Sequence, residues 1–475
     1  MATTQHPATE FVKAITRLDA TALVVGSMIG SGIFIVSADI LRQVHAPGLL
    51  LLVWVVSGVV TLLGAITYGE LAAMYPKAGG QYVYLREGIS PLFGFLYGWT
   101  LFTVIQTATI AAVAVAFARF TAVLVPSLTE TVFLGGTVGK YHFGLSWQRA
   151  LAIVSVVVLT WINVQGVRTA AIIQTTLTAI KAATLAVLIV LGITIMRNAD
   201  VVTANFGAAF WPEGGLTLAL LPAIGAAMVG SLFSMDAWNN VGFASGELKH
   251  PEKDVPFAMG MGVLIVTTLY VLANVGYLHV LPADAIAAAP QDRVGTAALQ
   301  AMFGDAGLYV MAVAIMISTF GCNNGLILSG ARVYYAMARD NLFFLPKAGE
   351  LHPVHRTPAL ALWVQALWTC VLCLSGTYGQ LLDYIIFAAV LFYMVTVIGL
   401  FALRVRRPDL PRPVRAPGYP WLPALYVALT GLICVNLLVE KPLYTWPGLV
   451  IVALGVPVYF GWRTWTRGAR PGVAA

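Results

Sequence analysis

Two stretches of this sequence carry residue types that weaken a helix in places where an apolar helix should run unbroken. The first is Gly26-Ser27-Met28-Ile29-Gly30-Ser31-Gly32-Ile33-Phe34, in which three glycines and two serines interrupt an apolar run. The second, Phe233-Ser234-Met235-Asp236-Ala237-Trp238-Asn239-Asn240-Val241-Gly242-Phe243, sets Asp236, Asn239 and Asn240 in the middle of another. A glycine in a helix interior costs about 1 kcal/mol relative to alanine, and a charge at the centre of a bilayer costs a few kcal/mol more. Gly26-x-x-x-Gly30 alone also fits close helix packing; together the two stretches point to helices that open. An opened helix frees N–H and C=O groups that must line a polar cavity. The half-helix that starts after a break presents N–H groups and a positive dipole end, suited to a carboxylate. The half-helix that ends at a break presents carbonyls, suited to an ammonium. A small zwitterion such as an α-amino acid matches that pair of ends.

The elements holding these stretches are set by composition. Of 475 residues, 59% are hydrophobic and 10% are charged, where a soluble domain carries roughly 25% charged residues. Only lipid solvates such a chain. At about 20 residues per span, apolar runs predict twelve transmembrane helices, at 18–42, 48–74, 91–125, 147–166, 170–196, 218–247, 257–281, 306–339, 359–377, 381–404, 420–439 and 444–464. The first run is too long for a cleaved signal, so it is expected to remain as span 1. Of the 27 lysines and arginines, nineteen fall on one side of this arrangement and six on the other, with Arg119 and Lys181 inside spans. The positive-inside rule then puts both termini in the cytoplasm of a multi-pass protein of the cell membrane. The net charge of +7 thus reports topology, and no nucleic-acid partner is needed to explain it. The expected organisation is a cytoplasmic segment 1–17, one transmembrane domain 18–466 and a tail 467–475. Span 6 follows span 1 by five helices, so two units, about 18–197 and 218–405, each open on an interrupted helix. That is the pattern of an inverted-repeat transporter, with extra helices at about 420–466.

Lys181 lies within the apolar run Ile172 to Ile195. It stands some eleven residues from the inner end of its span, roughly 16 Å deep at 1.5 Å per residue, and a buried lysine needs partners or loses its proton. Asp236 has three readings: a polar brace for the opened segment, a partner for a cationic substrate side chain, or a proton-coupling group. Glu70 and Glu247 near inner span ends are expected to pair with bases such as Arg332 or Arg86, as an inner gate. Asn323 and Asn324 in span 8 face the region that Lys181 reaches. Gln106 and Thr107 either face the pocket or bond between helices. Arg119 reads as an interface residue. Cys322, Cys370, Cys373 and Cys434 sit in apolar runs as packing residues, and none of the seven histidines has metal-ligand spacing. No metal and no cofactor are expected. The few mid-span ionisable groups are far apart in sequence, which argues against an intramembrane enzyme; a sensor that binds without transporting is a further reading.

Gly26 to Phe34 resembles the first-span signature of the amino acid–polyamine–organocation (APC) superfamily. Phe233 to Pro256, with Asp236-Ala237-Trp238-Asn239, Glu247-Leu248-Lys249 and Pro251-Glu252-Lys253-Asp254-Val255-Pro256, is similar to its L-type amino acid transporter (LAT) branch. Gly69-Glu70-Leu71 through Pro76-Lys77-Ala78-Gly79-Gly80-Gln81-Tyr82 and Ala331-Arg332 to Arg339-Asp340 fit the same pattern, which covers roughly residues 15 to 465. The resemblance implies an all-α, LeuT-type five-plus-five repeat with spans 1 and 6 unwound. It also implies a sodium-independent amino acid transporter, an exchanger working by alternating access, with neutral substrates first and a cationic or mixed range next. The alternative is a proton-coupled permease for amino acids or polyamines. By the same resemblance the substrate carboxylate meets N–H groups of Gly30, Ser31 and Gly32. The amine meets carbonyls near Ser27, Met28 and Phe233, and Phe233 closes over the substrate. Ile29, Ser234, Met235 and Asp236 complete the two stretches, and Asn239 braces the second. Phe387, Ala388 and Val390 lie near the substrate side chain. Lys181 stands where sodium-coupled relatives hold a cation, and is expected to bond to the break in span 1 and to span 8. Animal LAT-type transporters join a heavy subunit through a cysteine after span 3; Val125 to Trp147 has none, so no disulfide-linked heavy subunit is expected.

Overall fold

The computed structural model describes residues 10–138, 141–374 and 378–468. Parts of the expected terminal segments, residues 1–9 and 469–475, lie outside the described residues. The helices are, in chain order, α1 (Arg17–Met28), α2 (Gly32–Val44), α3 (Pro47–Met74), α4 (Gln81–Gly88), α5 (Pro91–Thr100), α6 (Gln106–Leu124), α7 (Trp147–Val164), α8 (Val167–Val190), α9 (Ala199–Phe206), α10 (Leu221–Ser234), α11 (Asn240–Phe243), α12 (Pro251–Val280), α13 (Ala283–Ala287), α14 (Val294–Phe303), α15 (Asp305–Arg339), α16 (Ala359–Cys373), α17 (Tyr378–Arg406), α18 (Trp421–Glu440) and α19 (Pro442–Gly468). A π-helical turn, Leu101–Ile105, joins α5 to α6. Strands β1 (Leu134–Val138) and β2 (Tyr141–Leu145) form one antiparallel hairpin, Leu134 opposite Leu145.

Among the described residues, nine helices are long and apolar enough to cross a membrane, and α1 with α2, bent by 41° at their junction, make a tenth if taken as one span. The two other segments expected from sequence, 218–247 and 359–377, are represented by shorter apolar helices, Leu218–Ser234 and Ala359–Cys373. The first is short because its helix stops at Ser234. Apolar side chains face outward as well as inward: Leu367 is 70% and Leu432 67% exposed, a surface that suits hydrocarbon.

Helix starts follow local chemistry. Thr16 caps α1 in a reciprocal capping box, its Oγ1 accepting from Asp19 N at 3.3 Å while Asp19 Oδ2 accepts from Thr16 N at 3.1 Å. Pro47, Pro91 and Pro251 open α3, α5 and α12, where a missing N–H costs nothing. The long helices α3 and α12 pack along one another, and α6, α8 and α1 pack on α15. Gly58 lets α3 meet Thr267 directly; a Cβ there would stand 2.2 Å from Thr267 Cγ2.

The segment between α17 and α18 is tied to α3 by one carboxylate. Glu70, fully buried, accepts from Arg404 Nε at 3.0 Å and Nη2 at 2.5 Å, and from Ala416 N at 2.7 Å. Arg412 Nε stands 3.2 Å from its other oxygen. Glu70 therefore pairs with α17 and the following linker, where the sequence had suggested Arg332 or Arg86. With its charge removed, two arginines lose their shared anion. The expected result for Glu70→Gln is a loss of about 1–3 kcal/mol and faster tryptic cleavage between Arg406 and Arg415, read by limited proteolysis.

Candidate functional site

The two helix breaks lie side by side. α1 ends at Met28 and α2 begins at Gly32, the intervening Ile29 having φ −74° and ψ 89°. α10 ends at Ser234 and α11 begins at Asn240, with Ala237 at φ +69°. One cavity is lined by Ser27, Met28 and Gly30–Gly32 from the first break, and by Phe233, Ser234, Asp236 and Ala237 from the second. Thr109 and Val113 of α6 and Cys322 of α15 close it. Gly32 is required for this approach: a Cβ on it would meet Ser234 Oγ at 2.1 Å and Ser234 Cβ at 2.7 Å.

The freed backbone groups are met by side chains from three neighbouring helices. Tyr270 of α12 donates from one hydroxyl toward Met28 O at 2.8 Å and Ser234 O at 3.2 Å, so it touches both breaks. Lys181 of α8, 1% exposed, points its ammonium at three carbonyls: it donates to Gly26 O, to Ile29 O at 2.8 Å and to Ser318 O at 3.3 Å. Ser318 Oγ of α15 donates toward Ile29 O at 3.1 Å and Gly30 O at 3.2 Å, and Cys322 Sγ donates to Ser27 O at 3.0 Å. Lysine carries only donors and a carbonyl only lone pairs. The match is that of a cation held by main-chain oxygens, with the cation supplied by a side chain.

The second break is linked to α4 and α17. Tyr393 donates to Asp236 Oδ1 and lies 3.4 Å from Asn239 Oδ1. Asn239 Nδ2 donates to Gln81 Oε1 at 2.7 Å, and Gln81 Nε2 to Thr396 Oγ1 at 3.0 Å. Asp236 also lines a second cavity with Met235, Val390 and Tyr393, bounded by Tyr426 of α18. Ile29 is buried, and its carbonyl faces Lys181 and Ser318, away from the first cavity. Phe387 is buried in the α17 core and lines neither cavity.

Other residues singled out from sequence find different neighbours. Asn323 Nδ2 donates to Ile110 O at 3.2 Å; Asn324 Nδ2 donates to Ala170 O at 3.1 Å and to Gln174 Oε1 at 3.0 Å. Asn323 thus bonds to α6 and Asn324 to α8, the helix of Lys181, while the α15 group that accepts the Lys181 hydrogen bond is Ser318 O. Gln106 Nε2 bonds between helices, to Leu326 O at 2.8 Å, and Thr107 bonds back to Phe102 O in the preceding π-helical turn. Arg119 lies 3.8 Å from Glu130. Among the described residues no group of His, Cys, Asp and Glu could hold a metal.

A model of the family described as amino acid permease matches residues 15–460. The chain belongs to that family. A serine/threonine exchanger, SteT, of Bacillus subtilis (strain 168) is 32% identical over 459 residues, 95% of this chain and 97% of that protein. The human large neutral amino acids transporter small subunit 2 is 33% identical over 458 residues, 94% of this chain and 80% of the relative. The mouse b(0,+)-type amino acid transporter 1 is 28% identical over 471 residues, 97% of this chain and 91% of the relative. These matches bear out the resemblance to the LAT branch of the APC superfamily.

In this permease one end of the bundle is tied by charge. Arg332 of α15 donates from Nε to Glu247 Oε2 at 3.0 Å and from Nη2 to Oε1 at 2.8 Å, both side chains 1% exposed. Nearby, Ile15 pairs with Leu248 as a parallel bridge, Arg17 holds Asp254 at 2.7 Å, and Arg86 pairs with Asp340. Burial, then the Asp340 carboxylate, push the Tyr82 phenol well above its ordinary range. Sequence reading missed Tyr270, Thr109, Val113 and Tyr393. An aromatic or threonine in an apolar run carries no mark of its own, and Cys322 looked like packing. Removing one member of a buried pair leaves the other uncompensated, so Glu247→Gln is expected to lower stability by about 3–5 kcal/mol, read as a fall in melting temperature in detergent.

Proposed function

We propose that this permease exchanges α-amino acids across the cell membrane by alternating access, without sodium, with neutral amino acids as its principal substrates. The observation that carries the reading is the juxtaposition of two helix breaks on one cavity, with a lysine ammonium on carbonyls of the first break. The N–H groups at Gly30–Gly32 suit the substrate carboxylate, and the carbonyls of Ser27, Met28 and Phe233 suit its ammonium. Of these, Ser27 O now meets the weak Cys322 thiol and Met28 O the Tyr270 hydroxyl, donors that an ammonium outcompetes. Lys181 stands in for a coupling cation, so the cycle needs none from solution. The serine/threonine exchanger and the neutral amino acid transporter subunit among its relatives favour small to large neutral side chains and exchange.

In this reading the chain has twelve spans, two five-helix repeats beginning near residues 18 and 218, and two further helices, α18 and α19. Both termini are cytoplasmic, so Glu247–Arg332 closes the inner side. The bundle carrying both breaks rocks while substrate sits between them, and Phe233 covers it. Asn323 and Asn324 brace the α15 side of Lys181. Asp236, whose side chain takes the Tyr393 hydroxyl, acts as a brace for the second break, and Asn239 extends that brace to Gln81. The chain works without a disulfide-linked heavy subunit.

Proteoliposomes loaded with unlabelled serine, leucine or arginine and offered labelled serine or leucine test this. Uptake is expected only with internal amino acid, and unchanged when choline replaces sodium. Uptake that needs a pH gradient and no internal substrate would instead support the proton-coupled permease. Lys181→Ala strips a buried donor from three carbonyls, at about 1–3 kcal/mol. Exchange should fall about tenfold or more while the protein still inserts; unchanged flux removes the role given to Lys181. Asp236→Asn should weaken neutral and cationic substrates alike, whereas a selective loss of arginine would make Asp236 a substrate partner.

A further inference from the structure

Where α1, α8 and α15 meet, two polar atoms are buried without a hydrogen-bond partner among the described residues: Ser27 Oγ and Gln174 Nε2. Both lie against Gly325 of α15. A Cβ on Gly325 of α15 would stand 2.3 Å from Ser27 Oγ and 2.9 Å from Gln174 Nε2, and one on Gly26 of α1 would stand 2.2 Å from the same Nε2. The two glycines leave the space that Gln174 fills, and its amide ends beside the last turn of α1.

The direction of that amide is set from behind. Asn163 Nδ2 donates to Asn324 Oδ1 at 3.0 Å, and Asn324 Nδ2 donates to Gln174 Oε1 at 3.0 Å. Each amide thus passes its carbonyl to the preceding donor and its own N–H₂ onward. Turning the Gln174 amide over would set donor against donor at Asn324, so Nε2 stays on the side of Gly26 and Gly325, near Ser27. A hydroxyl both donates and accepts, so a small rotation at Ser27 completes the chain. A buried amide N–H₂ left unmade is costly, so a state of the protein that makes the bond is favoured by it. The Ser27 carbonyl now accepts from Cys322, and on the reading above it is a group that a substrate ammonium addresses.

We propose that Gln174 is a positioning residue for the first break: in the substrate-loaded state its Nε2 donates to Ser27 Oγ, fastening the inner half of span 1 to α8 and α15. The bond is open in the structure described and closes when the ammonium engages the Ser27 and Met28 carbonyls. Gln174 touches no substrate; it acts through Ser27, and it biases when α1 is free to move. The proposal rests on the exchanger reading for its ligand, but not for its readout.

The test is hydrogen–deuterium exchange of peptides covering residues 17–28 in the full-length protein, without amino acid and with saturating serine or leucine. Binding of the probe is confirmed separately by thermal shift. The wild type is expected to gain protection in α1 on binding, and Gln174→Leu to lose most of that gain while still binding. In exchange assays Gln174→Leu should lower the maximal rate about tenfold, the factor carried by one net hydrogen bond of this kind, with KM changed less than about twofold. Ser27→Ala should share the rate defect, and the double variant should be no slower than either single one. Substrate protection of α1 that survives in Gln174→Leu, or rate losses that multiply in the double variant, would overturn the proposal. A wild type that binds neither amino acid would overturn the exchanger reading instead, and with it the ligand named here.

Discussion

A peptide group freed from its helix inside hydrocarbon has no water to turn to, and every other feature of the site follows from that shortage. Each break in this permease frees carbonyls and N–H groups that would cost several kcal/mol apiece if left bare. The fold answers with side chains from outside the broken helices. Tyr270 serves Met28 and Ser234 at once, Ser318 serves Ile29 and Gly30, and Lys181 serves Gly26, Ile29 and Ser318. The donors come from α8, α12 and α15, so the cost of opening two helices is spread over three others. The break is a joint property of the bundle and is not a local defect of one sequence stretch.

That arrangement depends on close approach, and close approach depends on where side chains are missing. Gly32 admits Ser234, Gly26 admits Gln174 and Thr178, and Gly325 admits Ser27; each of these contacts would fall well inside van der Waals distance of an added Cβ. In lipid, where apolar side chains gain little from leaving their solvent, helices associate through such close packing and through polar contacts. The glycines in Gly26–Gly32 therefore do two things. They lower the cost of leaving the helix, and they let α8 and α15 come near enough to supply donors. The close-packing reading of Gly26-x-x-x-Gly30 and the reading of a break are aspects of one geometry.

What could be read in the sequence were the residues that violate a local expectation. Three glycines in an apolar run, a lysine eleven residues from a span end and an aspartate at mid-span each cost free energy where they stand, and each cost pointed at a site feature. Residues that fulfil local expectation stayed silent. Tyr270 and Tyr393 are at home in an apolar helix, and only their placement opposite freed oxygens gives them a part. Pairing was also hidden, because charge balance constrains how many partners exist and not which ones meet. Glu70 joins Arg404 because α3 and α17 end together, and Arg332 goes to Glu247 because the turn after α11 brings that carboxylate to α15. The segment 218–247 is a related case: its helix stops at Ser234, so by length alone it is too short to count as a crossing.

Fixed and labile contacts are also distributed unequally around the first break, and that asymmetry bears on how the site can turn over. The Lys181 contacts join a full charge to main-chain oxygens in a buried setting, and such bonds are among the strongest available. The Cys322 contact to Ser27 O is a weak thiol bond, and among the described residues the nearby Ser27 Oγ and Gln174 Nε2 have no hydrogen-bond partner. A ligand can shift a conformational equilibrium only by the difference in its interaction with the two states. Strong contacts at Ile29 hold the centre of the break open in this structure. Weak and unmade ones at Ser27 leave the adjoining turn of α1 free to respond. The same few residues can thereby hold a permanent opening and a movable edge, since the donors on the two sides of it differ in charge.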